Sequence, residues 1–441
     1  MWSARPVTGR FRRLRWAADG VLIAILLVTP WIELAGEPLV RFDVPARKFH
    51  VFGLVIFPQE LYFLWLLLAG LALALFFFTS LAGRLWCGWA CPQTVLTDVF
   101  AAIGRFVLGV SDEGQAAGVA LWRRALVHVV WLALAVILGF HLVAYFSGPY
   151  RLIDGLAHGT LTATVAGFLL AGTGLAYADL VFVRQTFCKF LCPYARFQGV
   201  LFDRDTLVVG YDALRGEPRG KLGHATGDCV DCRLCVAVCP TGIDIRQGLQ
   251  LECIACTQCI DACDGVMRRI GKPERLIGYR SLVSLERARP VKLVRPRVVV
   301  YAALLALVAV VFVGAVAARE PLDLQVAHNA TQLFGSASDG RASNAFVLHI
   351  QNRDRSDHDF RIRLDAPDGF ELVVGQNPVR VGATSSVESR VFVLADESAR
   401  AGRGDALRFV LERSDAPAQS VIRPAVFLYA PNGRGDHDDD D

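Results

Sequence analysis

The chain has 441 residues, of which 54% are hydrophobic and 20% are charged, and its mean hydropathy is +0.40. This combination excludes an ordinary soluble domain and indicates a membrane protein with soluble parts. The net charge of +4 is too small to indicate nucleic-acid binding. Most basic residues instead stand beside apolar stretches, where they act as signals of membrane topology.

Five apolar stretches are long enough to cross a bilayer, which takes about 20 residues. They cover residues 16–35, 60–81, 122–146, 160–183 and 297–317. The arginine-rich segment before the first stretch is followed by no small-residue cleavage site, so we expect an uncleaved helix rather than a signal peptide. The positive-inside rule then places residues 82–121 and 184–296 in the cytoplasm of a bacterium, with the C-terminal part in the periplasm. The basic loop 41–48 is an exception to this orientation.

All twelve cysteines fall within the two segments that we expect in the cytoplasm, and none follows Cys263. The cytoplasm keeps thiols reduced, whereas the exterior of a bacterial membrane oxidises them. We therefore expect these cysteines to be metal ligands or redox groups rather than disulfide partners.

Eight of the cysteines form two successive C-x2-C-x2-C-x3-C runs. The first run contains Cys229, Cys232, Cys235 and Cys239, and the second contains Cys253, Cys256, Cys259 and Cys263. This spacing is typical of two [4Fe–4S] clusters, in which the fourth cysteine of each run binds the other cluster. A pair of zinc sites is the alternative, but zinc favours separated C-x2-C pairs.

The predicted cluster ligands therefore combine the two runs. The first set is Cys229, Cys232, Cys235 and Cys263, and the second set is Cys253, Cys256, Cys259 and Cys239. Asp264, rather than the usual proline, follows the last cysteine. Two closely spaced clusters with no open coordination position indicate an electron relay.

A different motif, C-x3-C-P, follows both the second and the fourth apolar stretch. It contains Cys87 and Cys91 in the first copy and Cys188 and Cys192 in the second. The repeat predicts two duplicated hairpins whose thiols meet at one site, each pair one helical turn apart on a single face. A third iron–sulfur cluster, a Cu(I) ion and dithiol redox cycling all fit such a site, and simple apolar packing is the remaining interpretation.

His128 and His141 lie in the third apolar stretch, where histidines are functional candidates, although they are too far apart to form one ligand pair on a helix. After residue 321, short runs of alternating apolar and polar residues predict an antiparallel, immunoglobulin-like β-sandwich of about seven strands. The acidic tail contains His437 and several aspartates, and we interpret it as a solvated end, with metal chelation as the alternative.

These patterns predict a multi-domain membrane protein. Its fold combines an α-helical transmembrane bundle of about five helices, a cytoplasmic α+β ferredoxin-like domain with two [4Fe–4S] clusters, and an all-β sandwich at the C-terminus. The predicted limits are 1–205 for the membrane region with both C-x3-C-P motifs, 206–296 for the ferredoxin domain, 297–318 for the fifth helix, 319–432 for the sandwich and 433–441 for the tail.

The arginine-rich start, the paired C-x3-C-P motifs, the double cysteine run and the C-terminal sandwich together resemble the cytochrome c oxidase accessory protein family called CcoG, FixG or RdxA. The resemblance implies a membrane-bound ferredoxin that reduces Cu(II) to Cu(I) in the cytoplasm and assists assembly of cbb3-type cytochrome c oxidase. Its expected partners are the membrane, copper, oxidase assembly factors and an electron-donor protein that the sequence does not identify. The paired cysteines would then be the catalytic site of an oxidoreductase.

Two other functions fit the same motifs. One is a quinol-linked ferredoxin relay of an anaerobic reductase system, and the other is a non-redox scaffold for oxidase assembly. The chain contains no nucleotide or flavin fingerprint, so its electrons must come from another protein or a small reductant. Only two methionines are present, so cysteine would have to supply the soft ligands for any copper ion.

Overall fold

A computed structural model of the protein contains two compact units, Met1–Val313 and Gly314–Asp441. The structure describes residues 4–34, 36–110, 118–221, 226–287, 291–329, 335–337, 339–396 and 405–429. The acidic tail and His437 lie outside these described residues. The domain limits given above stay predictions.

Five helices in the described part are long and apolar enough to cross a membrane, as the sequence predicts. They are Arg10–Trp31, Pro58–Ala82, Leu121–Ser147, Ala163–Val183 and Pro296–Ala317. The first helix begins at Arg10, several residues before the predicted start. The Asp261 carboxylate accepts hydrogen bonds from the backbone N–H groups of Phe11 at 3.2 Å and Arg12 at 2.7 Å. An acidic partner at a helix N-terminus satisfies free N–H groups, so the helix extends back through the arginines.

The first unit is mainly helical. Its helices are α1 (Arg10–Val28), α2 (Leu61–Ala82), α3 (Leu85–Trp89), α4 (Pro92–Leu108), α5 (Leu121–Ser147), α6 (Pro149–His158), α7 (Ala163–Ala178), α8 (Pro193–Leu201), α9 (Ala213–Gly216), α10 (Leu234–Ala237), α11 (Gln258–Arg269), α12 (Leu282–Arg287) and α13 (Pro296–Ala317), the last of which continues into the second unit. Two π-helical segments, Asp179–Val183 and Phe187–Leu191, connect α7 to α8. Such segments are rare and are frequently found at functional sites.

Five short strands follow α1, in a region where the sequence analysis predicts only a loop. They are β1 (Glu33–Leu34), β2 (Glu37–Pro38), β3 (Val40–Asp43), β4 (Lys48–Val51) and β5 (Leu54–Ile56). The last three form an antiparallel meander that contains the basic loop 41–48.

The cysteine-rich segment folds as an α+β module. Its two strands, β6 (Val208–Tyr211) and β7 (Ile277–Arg280), pair antiparallel and bring the two ends of the segment together. Apolar side chains such as Val209, Ile260 and Met267 pack with the cysteines into one buried core. The core is therefore built around the thiols.

The second unit is a sandwich of two antiparallel sheets, as predicted. One sheet has the order β12–β14–β10–β8 with β9 added to β10, and the other has the order β13–β11–β15–β16. The strands are β8 (Leu322–His328), β9 (Gly335–Ser336), β10 (Ala342–Asn352), β11 (His358–Asp365), β12 (Phe370–Val374), β13 (Val379–Val381), β14 (Ser385–Ala395), β15 (Asp405–Arg413) and β16 (Ala416–Phe427). Alternate residues of each sheet, among them Phe346, Val391 and Phe409, form the buried core.

Candidate functional site

The first predicted ligand set lines one cavity. Cys229, Cys232, Cys235 and Cys263 all contribute to its wall, and its empty volume is about 370 Å³. The first three come from the loop before α10 and from α10 itself, whereas Cys263 comes from α11. The structure thus brings the fourth thiol across from the second cysteine run, as the predicted ligand exchange requires.

The second predicted set lines a neighbouring cavity of similar size, about 340 Å³. Its wall contains Cys239, Cys253, Cys256 and Cys259, together with Cys235 from the first set. The two cavities therefore share a side, which brings two clusters close enough to exchange electrons.

The two cysteine runs have the same unusual backbone. Asp231 and Arg233 in the first run, and Ala255 and Thr257 in the second, all have positive φ angles, between 49° and 64°. Residues other than glycine rarely adopt this left-handed conformation, and it is found mainly where function requires it. Here it turns the chain so that successive thiols face one cavity.

Burial controls the protonation of these thiols. It raises the pKa of Cys235 and Cys253 to about 11, and that of Cys256 and Cys263 to about 12. A buried thiol keeps its proton unless a cation stabilises the thiolate. The cysteine sets therefore fit a cationic iron–sulfur core, whose binding would release these protons.

The C-x3-C-P cysteines are placed differently from the prediction. Cys87 lies in α3, but Cys91 is the extended residue before α4, with φ −67° and ψ 124°. Cys188 lies in the second π-helical segment, and Cys192 precedes α8 with a similar φ of −70° and ψ of 112°. The predicted single helical face is wrong, because the proline after each second cysteine starts a new helix instead of continuing the old one.

The backbone nevertheless supports the predicted duplication of the two hairpins. Gly83 and Arg184 each stand four residues before the first cysteine of their motif. Their φ and ψ angles are 56° and −119° for Gly83, and 51° and −130° for Arg184. A non-glycine residue is strained in this conformation, so the shared turn reflects a constraint on how each motif leaves its helix.

The two motifs contact each other and the second cysteine set. Cys87 packs in one apolar cluster with Cys188, Tyr194, Ile254 and Cys256. Burial, followed by the neighbouring Cys91 thiol, raises the pKa of both Cys87 and Cys188 to about 12. Cys87 and Cys188 therefore lie near the second thiol of each motif and next to the second cavity.

Hydrogen bonds fasten the two motifs together. The Cys87 thiol donates to Gln198 Oε1 at 3.3 Å, and Gln93 Nε2 donates to the Arg184 carbonyl oxygen at 3.1 Å. The Tyr194 hydroxyl is 2.9 Å from Thr79 Oγ1. Each hairpin thus supplies groups that position the other hairpin's motif.

Gly88 permits the close approach to the ferredoxin module, and the sequence analysis did not single it out. A Cβ atom on Gly88 would lie 2.5 Å from the Ala255 carbonyl oxygen and 2.6 Å from that of Ile254. At the equivalent position of the second motif, Lys189 Nζ donates to the Thr241 carbonyl oxygen at 2.9 Å. Both motifs therefore contact loops that carry ligands of the second set. The signal in the sequence was the glycine between the two cysteines.

Arg15 is a second residue that the sequence analysis assigned only to topology. Its side chain is 1% exposed and forms an ion pair with Asp98, which Arg12 Nη1 also contacts at 2.8 Å. Arg15 Nη1 donates to the Cys256 carbonyl oxygen at 3.3 Å. Part of the arginine-rich segment therefore carries positive charge directly to the second cysteine set.

The two membrane histidines have ordinary polar partners. His128 Nδ1 is 2.8 Å from the Tyr177 hydroxyl. His141 accepts a hydrogen bond from Trp31 Nε1 at 3.2 Å, and its Nδ1 lies 2.8 Å from the Ile137 carbonyl oxygen. Within the described part of the chain, no three Cys, His, Asp or Glu side chains are arranged as ligands of a single metal ion.

Comparison with known protein families matches most of the chain. A 4Fe-4S binding domain matches residues 63–111, and a 4Fe-4S dicluster domain matches residues 183–223 and 219–282. The IG-like fold found at the C-terminal of FixG matches residues 312–430. The first two matches contain all twelve cysteines.

Three relatives align along most of their length. Protein RdxA of Cereibacter sphaeroides is 39% identical over 91% of this chain and 90% of its own length. The chain belongs to the FixG/RdxA family. Protein RdxB of the same organism is 35% identical over 98% of this chain and 96% of its own length, and nitrogen fixation protein FixG of Rhizobium meliloti is 35% identical over 78% and 75%.

Membership of the FixG/RdxA family confirms the predicted class of protein. It is a membrane-bound iron–sulfur electron-transfer protein that carries two [4Fe–4S] clusters and an immunoglobulin-like C-terminal domain. The thiol chemistry and the two cysteine-lined cavities fit these clusters.

Proposed function

We propose that this protein is a cupric reductase, which converts Cu(II) to Cu(I) at Cys87, Cys91, Cys188 and Cys192 and so assists assembly of cbb3-type cytochrome c oxidase. One observation carries the proposal. Cys87 lies in one apolar cluster with Cys188 of the other hairpin and Cys256 of the second ferredoxin set. A thiol site that lies against a cluster ligand is placed to receive electrons from the relay.

The donor chemistry of the paired site suits the product of this reaction. Soft thiolates bind Cu(I) well, whereas Cu(II) favours nitrogen and oxygen ligands. Met267 is 2% exposed within the ferredoxin core, so its thioether does not reach the paired site. The cysteines thus supply the soft ligands, and copper is a transient substrate of the site rather than a resident ion.

The electron path that we propose runs along the cysteine sets. Cys229, Cys232, Cys235 and Cys263 hold the first cluster, and Cys253, Cys256, Cys259 and Cys239 hold the second. The clusters supply one electron for each copper ion when they are reduced. Two residues position the paired cysteines, where electrons leave the relay. Gly88 allows the close contact with Ala255, and Gln198 orients the Cys87 thiol.

We place the ferredoxin module and the paired cysteines on the cytoplasmic side of a bacterial inner membrane, and the immunoglobulin-like domain in the periplasm. The basic residues beside the apolar helices support this orientation. A reducing compartment keeps the thiols available for metal binding. The product would then be released as Cu(I) where oxidase assembly factors can take it up.

Copper reduction by the purified full-length protein tests the proposal. The assay mixes Cu(II) with protein that has been reduced by dithionite and freed of the excess reductant, and measures Cu(I) with a specific chelator. Replacing Cys87 and Cys188 together by serine should abolish copper reduction and leave both ferredoxin clusters reducible. Each single variant should lose about as much copper-reducing activity as the double variant, because the effects of substituting residues that act as one unit are not additive.

A conservative change outside the site provides the control. Gly20→Ala, which adds only a Cβ that meets no atom within 4 Å, changes no group of the site and should keep the activity. Copper reduction that persists in the double cysteine variant would rule the paired site out. Electron exchange with a quinol in the absence of any copper activity would favour the quinol-linked relay instead.

The family match supports an iron–sulfur cluster as an alternative occupant of the paired site. The 4Fe-4S binding domain that matches residues 63–111 includes Cys87 and Cys91. Four thiolates from the two motifs suit a third [4Fe–4S] cluster, which would extend the relay. Iron analysis separates the two alternatives, because two clusters contain about eight irons and three contain about twelve.

A further inference from the structure

An open groove lies on the side of α11 that faces away from the cysteines. It is bounded by the start of α1, the outer face of α11 and strand β7, and its empty volume is about 1370 Å³. Helix α11 itself carries Cys259 and Cys263, one from each predicted cluster. Only the thickness of this helix separates the groove from the two cysteine-lined cavities.

The groove has an excess of positive charge. Its carboxylates are already engaged: Asp261 caps α1, Asp264 accepts from the Arg275 backbone N–H at 2.7 Å, and Glu274 lies 3.5 Å from Arg268. By contrast, the exposed side chains of Arg10, Arg13 and Arg275 have no carboxylate partner among the described residues. These three guanidinium groups are free to contact an anionic partner.

Aromatic side chains connect the groove to the redox groups. Phe11 and Tyr279 line it, with their ring centroids 6.1 Å apart. Trp89, which lies between Cys87 and Cys91, donates from Nε1 to the Tyr279 hydroxyl at 3.1 Å and meets Phe11 edge to face at 6.4 Å. A partner in the groove would therefore touch side chains that also contact the relay.

The polarity of the groove favours a protein partner. Small-molecule sites are lined predominantly by apolar side chains, whereas this groove is lined mainly by charged ones. Transient electron-transfer complexes bury little surface and depend on complementary charge to bring the partners together.

We propose that this groove is the docking site of an acidic one-electron carrier protein, which reduces the ferredoxin clusters. One electron passes from the reduced carrier to an oxidised cluster, and the carrier leaves oxidised, without any bond being made or broken. The inference rests on the electron-transfer role of the family and does not depend on copper.

Binding and electron transfer test the proposal with the full-length, cluster-loaded protein in detergent and without copper. The probes are a small acidic [2Fe–2S] ferredoxin and a flavodoxin. Combining Arg13→Glu with Arg275→Glu should weaken binding of the oxidised probe about tenfold at low salt, and the difference should fade as salt screens the charges. The rate at which the reduced probe reduces the clusters should fall equally, while reduction by dithionite should not change.

A steric variant tests the groove without changing its charge, so it separates loss of docking from any effect of the charge changes on folding. Gly278 lines the groove, and a Cβ on it would meet no atom within 4 Å, so Gly278→Trp should place its ring in the groove. It should slow reduction by the carrier, whereas Gly278→Ala should behave like the unaltered protein. Three results would overturn the proposal: no salt-dependent binding of either carrier, charge and tryptophan variants that match the unaltered protein, or weakened binding only to phosphatidylglycerol vesicles.

Discussion

The buried guanidinium of Arg15 places a positive charge beside the second cysteine set. Its Nη1 donates to the Cys256 carbonyl oxygen at 3.3 Å, and the side chain is 1% exposed. Positive charge near a cluster favours the reduced state; the Asp98 carboxylate offsets part of the Arg15 charge, and poor solvent access prevents water from screening the rest. Arg15→Gln should lower the potential of the second cluster on the order of 60 mV, which is about a tenfold change in a one-electron equilibrium. An EPR-monitored redox titration measures this shift.

The matched control for this variant keeps the charge. Arg15→Lys should stay near the potential of the unaltered protein, and the first cluster should be unaffected in both variants. An unchanged second potential in Arg15→Gln would show that the arginine has only a structural role.

Gly88 determines how closely the first C-x3-C-P motif approaches the ferredoxin module. A Cβ atom there would overlap the Ala255 carbonyl oxygen at 2.5 Å, and backbone cannot move aside as a flexible side chain can. Gly88→Ala should separate Cys87 from Cys256 and cost about 1–3 kcal/mol of stability through overpacking. We expect copper reduction to slow while both clusters remain reducible, as measured by the chelator assay and by EPR.

Gly265 offers a comparison within the ferredoxin module, because a Cβ atom on it meets nothing within 4 Å. Gly265→Ala should leave copper reduction unchanged. Equal rates in the two alanine variants would mean that the contact at Gly88 does not carry electrons.

At the scale of elements, helix α11 joins the two clusters. It contains Cys259 from the second predicted set and Cys263 from the first, on adjacent turns. Cys263→Ser should therefore damage the first cluster, although the residue belongs to the second run of cysteines. Cys239→Ser should damage the second cluster in the same crossed manner. EPR of each reduced variant distinguishes the clusters, and damage to the cluster of the residue's own run would contradict the crossed assignment.

The sequence predicts the elements best where periodicity and spacing are regular. Long apolar runs predict the five membrane helices to within a few residues, apart from the earlier start at Arg10. That start depends on Asp261, which is distant in sequence, so no local pattern reveals it. The C-x3-C spacing predicts one helix through Cys87 and Cys91, but Pro92 begins a new helix there.

In the candidate site, too, the sequence predicts what depends on local spacing and does not reveal what depends on contacts between distant residues. The spacing of the eight ferredoxin cysteines predicts which thiols share a cavity, because three ligands of each set are local and the fourth follows the exchange typical of two-cluster ferredoxins. The cluster that contains Cys87 and Cys256 depends on tertiary packing between residues far apart in the chain, so spacing alone does not reveal it. The roles of Gly88 and Arg15 follow from the same packing, and they became visible only with the structure.

At the scale of the whole molecule, copper reduction in the cytoplasm requires a particular orientation of the protein in the membrane. Reporter fusions after Val110 and Asp264 should indicate the cytoplasm, and a fusion after Asp354 should indicate the exterior, because the basic residues flank the helices accordingly. Alkaline phosphatase and a fluorescent protein provide opposite readouts for each position. A cytoplasmic signal after Asp354 would contradict the arrangement of five crossings.

A single-turnover experiment tests most directly whether electrons leave the relay through the paired cysteines. The purified protein is reduced with one electron per cluster, freed of excess reductant and mixed with Cu(II) in a stopped-flow instrument. Absorbance of the clusters and of a Cu(I) chelator is followed together. We predict that the clusters reoxidise as Cu(I) forms, with one copper reduced per electron, and that the Cys87→Ser and Cys188→Ser double variant keeps its clusters reduced. Reoxidation by copper at the same rate in that variant would contradict the account.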